Sequence, residues 1–265
     1  YSIKKMKFIK KIIKKFLAIF NLKITKINYG KIDFPIVEAS DEEKHLLEIS
    51  GRYSMTNLFK RWSLINAIKH VKNENIDGDL VECGVWKGGN LIIYDHLNEK
   101  YQMKKKIYAF DTFSGMSEPT NHDKNYLNIS AQKEWENNKK ENNINESFNC
   151  YSSLNEVKNN IQKNLLNKNS FENLKFIEGK VEETLKVKDN LPEKIAILRL
   201  DTDWYESTKA ELEVLFPKLS KNGILIIDDY GHWKGARKAV DEYFKDKQIV
   251  KHFVDFSCRM IIKRF

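Results

Sequence analysis

Apolar positions along this chain follow two alternating rhythms. Short runs rich in Ile, Leu, Val and Phe, bounded by polar turns, fall at residues 80–83, 106–110, 174–177, 195–200 and 224–227. Each reads as a strand buried on both faces, the signature of a parallel sheet. Between them, apolar residues recur at helical spacing over residues 54–72 and 152–166, from just after Asp201 to Phe216, and from near Trp233 to Phe244. A linker and a short acidic helix fit residues 30–50. The last stretch, residues 250–256 and then 257–263, predicts two strands joined by a tight turn. Strand and helix in alternation give an α/β fold: a seven-stranded, mostly parallel sheet with helices on both faces, closed by a terminal antiparallel hairpin.

Two stretches depart from that rhythm. Residues 116–150 are polar and rich in Asn, Lys and Glu. A long polar insertion after the second strand reads as a lid, here a mobile cover over a substrate. Residues 3–20 place apolar pairs such as Phe8-Ile9, Ile12-Ile13 and Phe16-Leu17 between Lys pairs. That is a basic amphipathic helix, with two readings open: peripheral contact with a membrane surface, or packing on another subunit of a homo-oligomer. The expected organisation is an amphipathic segment over residues 1–32 and one domain over 33–265, with the lid inserted at about 116–150.

Charge sharpens this division. The formal net charge is +9, but residues 1–32 hold ten Lys and no Asp, Glu or Arg. Removing those ten from the 46 Lys and Arg leaves 36 against 37 Asp and Glu. The body is near neutral, which argues against a nucleic-acid partner. Cys83, Cys150 and Cys258 are few and scattered, with no metal spacing and no disulfide framework. They suit a reducing compartment, so a cytoplasmic location is expected, with the inner face of a membrane as the place an amphipathic segment would hold the enzyme.

Candidate chemistry gathers where strands end. Residues 195–200 run into Asp201 and Asp203, and residues 224–227 into Asp228 and Asp229. Ligands of open α/β sheets sit outside the carboxyl ends of the strands. Four carboxylates at one edge repel one another unless a hard cation such as Mg²⁺ lies among them; the alternative is that each caps the helix after its strand. The first strand runs into Glu82-Cys-Gly84-Val-Trp86-Lys-Gly88-Gly89, a glycine turn without the dinucleotide spacing. An acidic residue before that turn suits an ammonium group rather than a phosphate. Asp111 closes the second strand, where an acidic residue commonly accepts from ribose hydroxyls. A ribose-bearing cofactor with an amino-acid end and no phosphate fits, and S-adenosylmethionine is one.

Five segments together resemble the macrocin O-methyltransferase family, sugar O-methyltransferases of the macrolide and aminocoumarin type. They are the Gly-Asp-Leu-Val-Glu82-Cys-Gly84-Val-Trp86-Lys-Gly88 turn, Phe110-Asp111-Thr112-Phe113, Glu178-Gly179-x-Val181, Asp201-Thr-Asp203-x-Tyr205-Glu206-Ser-Thr, and Asp228-Asp229-Tyr230-Gly231. The resemblance implies a class I fold, S-adenosylmethionine, a divalent metal and methylation of a sugar hydroxyl. It places the metal on Asp201, Asp228 and Asp229, with Asp203 as base and Asp201 beside it in catalysis. Cofactor positions become Met55, Thr56, Glu82, Gly84, Trp86, Gly88, Asp111, Thr112, Phe113, Gly179 and Val181. Trp204, Tyr205, Tyr230 and His232 are expected on the acceptor side. A phenolic diol is the alternative acceptor, and a metal-dependent hydrolase the rival enzyme class.

Overall fold

The structure is a computed structural model that describes residues 35–140 and 150–265. The amphipathic stretch at residues 3–20 and the part of the insertion at 141–149 lie outside the described residues. The chain divides into two units, residues 1–44 and 45–265. Within the first, Ser40 and Glu43 form a reciprocal cap: the Ser40 amide donates to Glu43 Oε2 at 2.8 Å and the Glu43 amide to Ser40 Oγ at 3.3 Å. That cap starts helix α1 (Asp41–Gly51).

In the second unit, helix α2 (Leu58–Asn73) starts where the Asn57 side chain accepts from the Lys60 amide. Strand β1 (Asp79–Cys83), helix α3 (Gly89–Lys100) and strand β2 (Ile107–Asp111) follow. Next come α4 (Ala131–Lys140), α5 (Leu154–Asn164), β3 (Leu174–Glu178), the short α6 (Val181–Thr184) and β4 (Ile195–Leu200). Helix α7 (Tyr205–Val214), β5 (Leu219–Ile227), α8 (Lys234–Tyr243), β6 (His252–Phe253) and β7 (Arg259–Ile262) complete the order.

The seven strands form one sheet in the order β3-β2-β1-β4-β5-β7-β6. The first five run parallel, and β7 pairs antiparallel with both β5 and β6. Successive strand residues point to opposite faces. Val81, Cys83, Tyr108, Phe110, Leu198, Leu200, Leu225 and Ile227 pack one core with Leu212 and Phe216 after β4 and with Val240 and Phe244 around α8. The opposite face is covered by buried Leu64, Ile65 and Ile68 of α2 and Leu91, Ile92 and Tyr94 of α3. Strand order reverses between β1 and β4, the switch point where an open α/β sheet takes its ligand. Among the described residues no helix is long and apolar enough to cross a membrane.

The described part of the insertion is ordered against the body of the second unit. Residues 120–131 fold on themselves and dock on the starts of α7 and α8. Asn125 bridges to Trp233, and the Lys234 amide donates to Lys124 O at 2.8 Å. Its polar residues supply hydrogen bonds to helix starts.

Candidate active site

The site is built where β1, β4 and β5 end side by side. Their ladder continues one residue past each strand: the Asp201 amide donates to Cys83 O at 2.8 Å and the Asp228 amide to Leu200 O at 2.9 Å. Asp201 and Asp228 thus emerge together at the carboxyl edge. The β1 turn lies so close to β4 that a Cβ on Gly84, which holds φ +84°, would sit 2.0 Å from Asp201 O. Only glycine satisfies both demands.

Beneath this edge lies Arg199, 2% exposed. Its Nη1 donates to Glu82 Oε1 and to Asp201 Oδ2, each at 2.8 Å, and its Nη2 donates to Asp228 Oδ1 at 2.5 Å. Lys60 reaches in from α2 and donates to Asp228 Oδ2. Burial pulls the Lys60 ammonium down, but Asp228, Asp229 and Asp201 outweigh burial and hold it charged. A buried guanidinium is tolerated only with such partners.

The remaining carboxylates lack that compensation. One oxygen each from Asp201, Asp203 and Asp229 lie within 4.8 Å of one another. Burial pushes Asp203 up to about 7, against the lowering effect of its hydrogen bond to Asp229. Burial, then repulsion from Asp203 and Asp228, holds Asp229 well above the usual carboxylate range. Asp203 also sits at φ +68°, a left-handed conformation that costs a non-glycine residue about 1–2 kcal/mol. Asp229 Oδ2 is buried without a hydrogen-bond partner. An oxygen-only donor set with an orphaned oxygen and crowded negative charge fits a hard divalent cation.

Beside these carboxylates opens a cavity of about 340 Å³, within the range of small-molecule sites. Met55, Thr56, Gly84, Trp86, Asp111, Thr112, Gly179 and Val181 line it, as do Lys60, Met116, Ser117, His232, Trp233 and the four aspartates. Burial and then Lys60 lower the His232 imidazole, so it faces the cavity neutral to lower pH than an ordinary histidine.

Residues 49–261 match the family described as Macrocin-O-methyltransferase (TylF). The chain belongs to the macrocin O-methyltransferase family. A similar relative is the demethyldecarbamoylnovobiocin O-methyltransferase of Streptomyces niveus, 27% identical over 73% of this chain and 68% of its own length. Another is the 8-demethyl-8-(2,3-dimethoxy-alpha-L-rhamnosyl)-tetracenomycin-C 4'-O-methyltransferase of Streptomyces olivaceus, 30% identical over 73% of this chain and 68% of its own. The solved O-methyltransferase NovP superposes with a TM-score of 0.67 at 25% identity, covering 80% of this chain and 83% of that one. Family and class I fold make this macrocin-family protein an S-adenosylmethionine-dependent O-methyltransferase.

The positions expected to meet the cofactor divide into those that border the cavity of this macrocin-family enzyme and those that do not. Met55, Thr56, Gly84, Trp86, Asp111, Thr112, Gly179 and Val181 all border the cavity. The remaining cofactor positions do not. Glu82 is 1% exposed; its Oε1 accepts from Arg199 and from Asn90 Nδ2 at 2.9 Å, and its Oε2 is buried without a hydrogen-bond partner. Gly88 is the N-cap of α3, and Phe113 is buried against Phe176. Asp111 turns one oxygen to the Val85 and Trp86 amides at 2.6 and 3.0 Å and the other to the Phe113 amide at 2.8 Å. It thereby shapes the glycine turn as well as lining the cavity.

On the acceptor side only His232 lines the cavity. Trp204 is buried, its indole N–H donating to Ser117 O at 2.9 Å. The Tyr205 hydroxyl donates to Glu242 at 2.7 Å and that of Tyr230 to Asp241 at 2.9 Å, both away from the cavity. The carboxylate group also differs from the implied metal set: Asp203 joins Asp201 and Asp229, while Asp228 pairs with Arg199 and Lys60. Arg199 and Lys60 were missed by the sequence reading. An Arg inside the apolar run at residues 195–200 was the available signal for the first; nothing marked the second.

Proposed function

We propose that this enzyme methylates a sugar hydroxyl in secondary-metabolite or surface-glycan biosynthesis. The observation that carries the reading is the family match, with a 30%-identical relative whose name specifies a rhamnosyl-bearing acceptor, joined to a cavity that ends on an aspartate cluster. Met55, Trp86, Gly179 and Val181 would enclose S-adenosylmethionine, with Asp111 and Thr112 as its polar contacts. Asp201 and Asp229 would hold a divalent cation such as Mg²⁺; Asp228 could join them only by giving up its pair with Lys60. When bound, S-adenosylmethionine supplies the electrophilic methyl, and the cation would lower the pKa of a hydroxyl beside it.

The chain's own residues then have distinct tasks. Asp203, pushed up to about 7, is matched to accept the acceptor hydroxyl proton near neutral pH. Arg199 opposes the upward push of burial on the Asp201 and Asp228 carboxyls and fixes their direction from beneath. Trp86, Trp233 and Met116 narrow the cavity, holding the reacting oxygen close to its target, and such positioning can supply roughly 7–11 kcal/mol of barrier lowering. Asp203→Asn is expected to lower kcat about 10²–10⁴-fold while S-adenosylhomocysteine affinity stays within about twofold. Unchanged turnover would remove Asp203 from the reaction.

A further inference from the structure

Helix α7 begins two residues after Asp203 and has no side-chain cap of its own, because Trp204 stands at its N-cap position. The cap comes from the insertion, 82 residues away in the chain. Asp123 Oδ1 accepts from the Tyr205 amide at 2.9 Å, while Oδ2 accepts from the Thr120 amide at 2.7 Å and the Thr120 hydroxyl at 2.9 Å. One carboxylate therefore satisfies an orphan amide of a catalytic-edge helix and closes its own loop. Asp123 is 0% exposed. A Cβ on Gly235, at the start of α8, would lie 2.0 Å from Asp123 Oδ1, so the neighbouring helix is shaped around this carboxylate.

The consequences reach the cavity on two sides. Upstream of Asp123, Met116 and Ser117 form part of the cavity wall, and Ser117 O is held by the Trp204 indole. Downstream of the helix cap, the same Tyr205 amide sits beside the strained turn that carries Asp203 at φ +68°. A left-handed aspartate keeps its conformation only when its flanks are fixed. The flank on the helix side is fixed by Asp123.

We propose that Asp123 is a positioning residue for methyl transfer: it ties residues 115–131 to the first turn of α7 and so sets both the acceptor wall and the direction of Asp203. This rests on the acceptor-side role given to Asp203 above. It touches neither cofactor nor acceptor, and it acts through the loop and the helix.

The test uses the full chain as wild type, Asp123→Ala and Asp123→Asn. Three quantities are measured: S-adenosylhomocysteine affinity by calorimetry, amide hydrogen exchange across residues 115–131 and 203–208, and kcat and KM for an acceptor that wild type methylates. In Asp123→Ala the Tyr205 amide and the 115–131 loop should lose protection. Acceptor KM should rise, and kcat should fall about 10–100-fold, the range expected for a misplaced reacting group. Affinity for S-adenosylhomocysteine should stay within about twofold. Asp123→Asn keeps an acceptor for the Tyr205 amide and loses one for Thr120, so its defect should be smaller and lie mainly in acceptor KM. If Asp123→Ala does not fold, this split decides the matter on Asp123→Asn alone. A variant that only melts lower, with kcat, acceptor KM and Tyr205 protection as in wild type, overturns the proposal. If wild type methylates a phenol rather than a sugar, the sugar reading falls while the same kcat and KM comparison still decides the role of Asp123.

Discussion

At the scale of single residues, the site is a problem of charge compensation. Glu82, Asp201 and Asp228 converge on Arg199, and the guanidinium is what lets them share one buried place. Arg199→Leu should therefore destabilise the fold by about 3–5 kcal/mol in urea unfolding, because Asp201 loses its ion pair while Glu82 and Asp228 keep only Asn90 and Lys60; a loss below about 1 kcal/mol would show that the cluster is solvated. Glu211 illustrates the opposite case. It is fully buried, its Oε1 accepts from Thr202 Oγ1 at 2.9 Å and its Oε2 has no hydrogen-bond partner among the described residues, so burial holds it well above the ordinary 4.5. The unfolded chain releases that proton above pH 4.5 while the folded chain keeps it, so this group's contribution to stability falls as pH rises. Glu211→Gln should gain stability over wild type as pH rises above 4.5, by up to about 1.4 kcal/mol per pH unit. A stability difference independent of pH would contradict this. The aspartates were legible in the sequence because all four fall within three residues of the end of an apolar run. Lys60 and Asp123 were not, because their partners lie 168 and 82 residues away and no local pattern announces them.

At the scale of elements, strands were easier to read than the insertion for a physical reason. A strand buried on both faces is apolar at nearly every position, and residues 195–200 are buried throughout with Arg199 as their one charged member, so the apolar run located that strand to the residue. Strand β5 is longer than its apolar run because its first half, Leu219 to Gly223, carries Ser, Lys and Asn at the rim. The insertion gave no such signal: its docking depends on hydrogen bonds from Asp123, Lys124 and Asn125 to helix starts, which polar composition permits but does not predict. The glycine turn was legible as a turn, and the structure supplies its reason in the contact between β1 and β4. Gly84→Ala should weaken S-adenosylhomocysteine binding at least tenfold and cost at least about 1 kcal/mol of stability, since a Cβ meets Asp201 O and φ is positive. Calorimetry and thermal melting of the same sample check both, and wild-type affinity in that variant would mean the turn relaxes freely.

At the scale of the whole molecule, the sheet order brings together residues from the beginning, middle and end of the second unit at one edge: Met55 and Lys60, Gly84 and Asp111, then Asp201 to Asp203 and Asp228 to His232. In the proposed reading the first half would enclose a cofactor without a phosphate signature, and the second half would present the carboxylates that work on a hydroxyl. That division is why a hydrolase reading of the aspartates alone leaves the first half without a task. The most direct test is transfer of labelled methyl from S-adenosylmethionine into a panel of sugar glycosides, nucleotide sugars and phenols, with and without EDTA. Chelator-sensitive label in the sugar fraction, with the methyl on oxygen, is the predicted result. Label confined to phenols, or none at all from protein that still binds S-adenosylhomocysteine, would contradict sugar methylation.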